Sequence, residues 1–110
     1  MIFVTGPMFS GKKTYLKNRF GWNEEELVQN AACDVQDLLT GSESAAQLEA
    51  LAEKLAAMKA VTAAEVGGGV VPADPEMRAQ REAAGRLSVL LAQRAQEAVR
   101  VFCGLPTKLK

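Results

Sequence analysis

The stretch that decides the fold is residues 2–14, which read IFVTGPMFSGKKT. An apolar run typical of a buried strand leads into a G-x-x-x-x-G-K pattern, and a helical stretch follows it. Two glycines let the backbone wrap around a polyphosphate, while the loop N–H groups and the helix N-terminus point toward it. The sequence therefore predicts a phosphate-binding loop between the first strand and the first helix.

The whole loop is predicted to cradle the phosphates of a nucleotide. Lys12 is the first candidate for catalysis, because the lysine of this pattern reaches the β- and γ-phosphates and neutralises their charge. The candidate binding residues are Gly6, Pro7, Met8, Phe9, Ser10, Gly11, Lys12, Lys13 and Thr14.

The position after Lys12 departs from the pattern, which has Ser or Thr there to hold Mg²⁺. Lys13 leaves three interpretations open. It adds a second positive charge that partly replaces a metal, or it points to solvent while Ser10 or Thr14 supplies the hydroxyl. In the third, the site binds nucleotide without turning it over. A step of one residue along a helix rotates a side chain by about 100°, which disfavours Thr14 as a direct substitute.

Length and composition indicate one small globular domain, residues 1–110. The chain is 48% hydrophobic and 24% charged, and its 13 basic residues balance its 13 acidic ones. This balance creates no global field that would attract nucleic acid or a membrane surface. The two cysteines are isolated, which indicates neither a zinc site nor a disulfide framework, and there is no histidine. We expect a cytoplasmic protein without imidazole chemistry.

Apolar runs alternate with helical patterns along the chain, which predicts an α/β fold. We expect a small P-loop NTPase-like, three-layer fold with a mainly parallel sheet of about four strands. Mid-helix Gly85 indicates close helix packing, since glycine costs about 1 kcal/mol relative to alanine there. Strands are predicted at residues 2–5, within 27–33, at 60–64 and at 99–103, and helices at 11–20, from Ser44 and from Asp74 to about residue 96.

Acidic residues follow two of the predicted strands, at the edge where open α/β sheets place their ligands. Asp34 is the first candidate for the carboxylate that holds Mg²⁺, and Asp37 is the second. An aspartate in this position is also common as a turn or helix cap. Glu65 follows the strand at 60–64 and is a candidate general base or a group that orients the water of a metal. A structural glutamate bonded to loop amides is the alternative.

Three motifs carry a resemblance to a known family. Residues 65–72, EVGGGVVP, resemble the N-E-V-G-x-G-I-V-P signature of adenosylcobinamide kinases, which are often also adenosylcobinamide-phosphate guanylyltransferases. Residues 81–86, REAAGR, are similar to the family's R-D-x-A-G-R, and residues 104–110, GLPTKLK, to its terminal G-x-P-x-K-x-K. The resemblance covers the first fifteen or so residues and nearly everything from residue 60 onward.

The resemblance implies a kinase of cobalamin biosynthesis. Such an enzyme transfers the γ-phosphoryl of ATP or GTP, with Mg²⁺, to the aminopropanol hydroxyl of adenosylcobinamide. The family's guanylyl acceptor is a histidine in the middle region, which is shortened here, so we expect no guanylyltransferase activity. Family members form trimers, which implies a homo-oligomer that binds nucleotide and a corrinoid. The alternative is a degenerate, non-catalytic nucleotide-binding or regulatory protein of the same fold, which Lys13 and the shortened middle favour.

Overall fold

The computed structural model describes residues 1–65 and 73–110. Within them, five strands and four α-helices follow one another, with a short 3-10 helix at Val35–Leu38. The strands are β1 (Ile2–Gly6), β2 (Ala31–Ala32), β3 (Ala60–Ala64), β4 (Glu97–Phe102) and β5 (Leu105–Lys108). The helices are α1 (Lys12–Phe20), α2 (Glu24–Asn30), α3 (Ala45–Leu55) and α4 (Pro75–Arg94).

The strands form one sheet in the order β2-β3-β1-β4-β5. β1 lies in the middle and pairs in parallel with β3 and β4, and β2 pairs in parallel with β3. Among the strands of the described residues, only β5 runs antiparallel, along the outer edge of β4. The predicted α/β class with a mainly parallel sheet is confirmed.

Helices cover both faces of the sheet. On one face, α3 and α4 bury Leu48 and Leu91 against Phe3 of β1. On the other, α1 and α2 bury Leu16 and Leu27 against a separate cluster of strand residues. The alternation of neighbouring β1 residues between these two clusters fixes the register of the central strand.

Two predictions about the strands were wrong: the second strand is shorter than predicted, and the sheet has one strand more than predicted. The segment around residue 27 is helical because Asn23 and Glu26 form a capping box, each side chain accepting a hydrogen bond from the other's backbone N–H. Only two residues remain for β2. A fifth strand, β5, adds to the four predicted, because Cys103 and Gly104 form a two-residue turn, both with positive φ (51° and 75°), which returns the chain as a hairpin.

The helix starts at Ser44 and Asp74 are confirmed. The Ser44 hydroxyl accepts from the Gln47 N–H, and the Asp74 carboxylate accepts from the Glu76 N–H at 2.9 Å. The packing predicted at Gly85 is wrong for the described residues, because a Cβ built there meets nothing within 4 Å. The glycine-rich motif at 66–72 lies outside the described residues.

Candidate phosphate site

The predicted phosphate loop follows β1, at the edge of the sheet where the carboxyl ends of β1 and β3 lie side by side. The Glu65 N–H donates to the Gly6 carbonyl oxygen at 2.8 Å, so the two strand ends are tied together. After β1 the chain passes to the β2 side of the sheet, whereas after β3 it passes to the β4 side. Open α/β sheets bind ligands at such a switch of direction. The fold therefore places residues 6–12 where a ligand site is expected.

The loop packs too closely on the sheet to accept a side chain at its first residue. Gly6 has φ 154°, and a Cβ there would lie 2.1 Å from the Val101 carbonyl oxygen. The Gly104 N–H donates to the Ser10 carbonyl at 2.8 Å, which ties the loop to the β4–β5 turn. Phe9, by contrast, has φ 58° and a side chain that is 99% exposed. The loop is held from below and is open to solvent at its apex.

Lys12 is the first residue of α1, its side chain reaches back to the start of the loop, and it is only 7% exposed. Its ammonium donates to the Pro7 carbonyl at 2.7 Å and to the Gly6 carbonyl at 3.2 Å. Burial lowers the pKa of Lys12, and the negative charges of Asp34 and Glu65 oppose that shift. A lysine ammonium has three donors, so a cation bridging two loop carbonyls keeps a further N–H for an arriving anion.

The Ser10 hydroxyl is the second buried polar group of the loop. Ser10 is 5% exposed, and its Oγ has no hydrogen-bond partner among the described residues. A buried hydroxyl without a partner costs about 1–3 kcal/mol. Ser10 also lines the cavity above the loop, so a ligand there is one way to satisfy it.

Lys13 and Asp34 meet above the loop as an ion pair. The Lys13 Nζ lies 3.1 Å from the Asp34 Oδ2, and the hydrogen bond between them raises the pKa of Lys13. Asp34 adopts a left-handed backbone conformation, and its N–H donates to the hydroxyl of fully buried Thr62 at 2.9 Å. The structure thus places Lys13 and Asp34 side by side, and these are the residues whose part in holding Mg²⁺ the sequence left open.

A cavity of about 270 Å³ joins these groups. Its lining includes Lys12, Lys13, Asp34 and Asp37. A second cavity, of about 470 Å³, shares Gly11 and Thr14 with the first and extends along α1 to the β4–β5 turn. The loop residues and both candidate aspartates therefore border one space, while Gly6 and Pro7 lie beneath it.

Glu65 lies apart from that cavity, in an ion pair that the sequence did not reveal. Its two carboxylate oxygens accept from the Nε and Nη2 of Arg100, the latter at 3.0 Å. The hydrogen bonds raise the pKa of Arg100, whose guanidinium also lies 5.2 Å from the centre of the Phe102 ring. The signal that could have found Arg100 is a charged residue between two valines of a buried strand.

The groups at this site do not match the usual ligand set for Mg²⁺, which favours oxygen ligands. The hydroxyl of the phosphate-loop pattern is replaced by Lys13, and the Asp34 carboxylate is already neutralised by that lysine. Among residues 1–65 and 73–110, no group of three or more His, Cys, Asp or Glu side chains could hold a metal ion.

No helix within residues 1–65 and 73–110 is long and apolar enough to cross a membrane.

Comparison with known proteins assigns the chain to a family. No curated protein sequence matches it. The family model described as cobinamide kinase / cobinamide phosphate guanyltransferase matches residues 26–109. The match begins after the phosphate loop, includes the motifs at 65–72 and 81–86, and includes the terminal motif except for residue 110. Since the match covers well over half of its length, the chain belongs to the cobinamide kinase / cobinamide phosphate guanyltransferase family of cobalamin biosynthesis.

Proposed function

We propose that this chain is a nucleoside-triphosphate-dependent kinase that phosphorylates adenosylcobinamide and does not transfer a guanylyl group. The observation that carries the proposal is the position of Lys12, buried in a glycine-bounded loop at the carboxyl end of the central strand. ATP or GTP is the donor, and the acceptor is the aminopropanol hydroxyl of the corrinoid. The absence of histidine from the sequence supports loss of the guanylyl-transfer step.

In this proposal the loop is an anion cradle. The Lys12 ammonium exchanges the Pro7 and Gly6 carbonyls for phosphate oxygens, and the loop N–H groups add further donors. The first turn of α1 contains no acidic residue, so its partial positive charge is uncompensated. We place the phosphates in the first cavity and the nucleoside in the adjoining one, which shares Gly11 and Thr14 with it.

The chemical step asks for positioning and charge stabilisation more than covalent catalysis. The acceptor oxygen forms a bond to the γ-phosphorus while the bond to the β–γ bridging oxygen breaks, and the hydroxyl proton leaves the acceptor. Lys12 stabilises the charge that develops on the transferred group and on the leaving diphosphate. We propose that Glu65, which lies outside the phosphate cavity but close enough for its charge to act on Lys12, takes that proton, with Arg100 holding the carboxylate.

A non-catalytic nucleotide-binding protein is the second candidate. The observation that favours it is the Lys13–Asp34 ion pair, which occupies the groups expected to hold the metal. The role of Asp34 as a Mg²⁺ ligand stays a prediction. In either case we expect a cytoplasmic protein, from its composition, and a homo-oligomer, as the resemblance implies.

The test is transfer of labelled phosphate from γ-labelled ATP or GTP to adenosylcobinamide. We expect product from the wild-type protein, and Lys12→Ala should lower kcat/KM by about 10²-fold or more, as for loss of a charge-stabilising donor. Lys54→Ala, which changes a lysine of α3, is the matched control and should retain full activity. Nucleotide binding without product would favour the non-catalytic candidate, and a fully active Lys12→Ala variant would overturn the proposed role of the loop.

A further inference from the structure

We propose that the Lys13 ammonium takes the place of Mg²⁺ at the phosphate site, so that this chain binds nucleoside triphosphates without a divalent cation. The inference rests on the proposed function, because it concerns the same loop and the same cavity. It concerns the electrostatics of binding, and it makes a different prediction from the kinase activity itself.

The position of Lys13 in the chain is the first argument. It directly follows Lys12, where the pattern has the metal-binding hydroxyl, so its Cα has the place of that ligand. The side chain is 53% exposed, and it lines the 270 Å³ cavity together with Lys12. The Lys13 side chain is therefore outside the packed core and borders the cavity in which we place the phosphates.

The partner of Lys13 is the second argument. Asp34 is the carboxylate that follows β2, and it would complete a metal site of hydroxyl and carboxylate groups. Here its Oδ2 lies 3.1 Å from the Lys13 Nζ. Its backbone is held by the hydrogen bond from the Asp34 N–H to the buried Thr62 hydroxyl. A fixed carboxylate thus positions a monovalent cation, as it would otherwise position a hydrated divalent one.

Charge balance is the third argument. Near a triphosphate an unpaired Asp34 carboxylate would repel the ligand, and Mg²⁺ ordinarily removes that repulsion. Lys13 neutralises Asp34 and still has further N–H donors for phosphate oxygens. Lys12 and the amino end of α1 add further positive charge at the same cavity. Ser10 also lines this cavity, and its hydroxyl has no partner among residues 1–65 and 73–110, which independently indicates that a polar ligand belongs there.

The experiment measures ATP and GTP binding by calorimetry, once with excess Mg²⁺ and once with EDTA. The wild-type Kd should agree within about threefold between the two conditions. A threefold change in Kd corresponds to less free energy than one charge-assisted hydrogen bond contributes. Lys13→Ser restores the hydroxyl of the pattern. It should bind about tenfold or more weakly in EDTA and regain affinity with Mg²⁺. Asp34→Asn leaves Lys13 in place and should keep binding in EDTA.

The outcomes separate this inference from the function on which it rests. If the wild-type protein binds nucleotide only with Mg²⁺ and Lys12→Ala abolishes that binding, the inference is overturned. The proposed role of the phosphate loop in nucleotide binding would still hold. No binding in either condition, or equal binding by Lys12→Ala, would overturn both. Lys13 is an exposed residue, and a thermal unfolding curve for each variant confirms that the protein is folded before its Kd is interpreted.

Discussion

The end of strand β1 and the middle of helix α4 both contain a glycine, and they use it in opposite ways. At Gly6 the backbone passes so close to β4 that a Cβ would lie 2.1 Å from the Val101 carbonyl oxygen. At Gly85 a Cβ would meet no described atom within 4 Å. Glycine in the loop is therefore a steric requirement, whereas glycine in the helix lowers helix stability with no steric need for it among the described residues.

The two regions also differ in how well their residues follow the usual preferences for helix capping, burial and backbone conformation. Helix α4 begins at an aspartate cap followed by Pro75 and buries Leu87 and Leu91 on one side. The loop after β1 buries a lysine, leaves the Ser10 hydroxyl without a described partner and holds Phe9 at positive φ. Conflicts of this kind concentrate at functional sites, where a ligand or a reaction compensates for them. Their clustering after β1 supports a ligand site there.

Of three substitutions, at Gly6, Gly85 and Glu97, Gly6→Ala should change the free energy of unfolding the most. The new methyl group must displace the Val101 carbonyl or the loop, and the positive φ adds strain. We expect the free energy of unfolding to fall by about 1–3 kcal/mol and nucleotide affinity to fall with it. Denaturant unfolding and nucleotide calorimetry measure the two effects. A fully stable Gly6→Ala variant with normal affinity would show that the close approach to β4 is not needed.

The substitution Gly85→Ala makes the same chemical change in α4 and should have the opposite sign. Alanine in a helix interior is favoured over glycine by about 1 kcal/mol, and no described atom obstructs the methyl group. We expect the free energy of unfolding to rise by that amount, with nucleotide affinity unchanged. Loss of stability instead would indicate that residues 66–72 or a second copy of the chain pack against this glycine.

Much of the fold could be predicted because its signals are local. The apolar run before Gly6, the capping box at Ser44 and the Asp74-Pro75 start each act within a few residues, and each prediction from them is confirmed. Helix α2 has an equally local signal in Asn23 and Glu26, but the apolar pair at 27–28 also favours a strand. Strand β5 could not be predicted in the same way, because Cys103 at positive φ is an unusual residue for a two-residue hairpin turn.

The sequence predicted the residues of the site, namely the continuous loop and the acidic residues after strands, but it did not predict which side chains pair there. Residues 6–14 include the loop that borders the cavity, whereas the pairing of Lys13 with Asp34 joins α1 to the end of β2. The pairing of Glu65 with Arg100 depends on β1 lying between β3 and β4. Contacts of this second kind follow from strand order, which a single sequence does not specify.

The smallest expected effect concerns an ion pair away from the phosphate loop. Arg19 of α1 makes two hydrogen bonds to Glu97 at the start of β4, at 2.6 and 2.7 Å, and these lower the pKa of Glu97. A carboxyl whose pKa is lower in the folded state stabilises the fold above its unfolded pKa and loses that contribution as the pH falls through the folded value. Glu97→Gln should therefore be less stable than wild type at pH 7, and the difference should shrink in acid. Urea unfolding from pH 7 to pH 3 measures it, with Glu82→Gln on the exposed side of α4 as the control. A difference that stays constant across this range would show that Glu97 contributes to stability through packing and not through its charge.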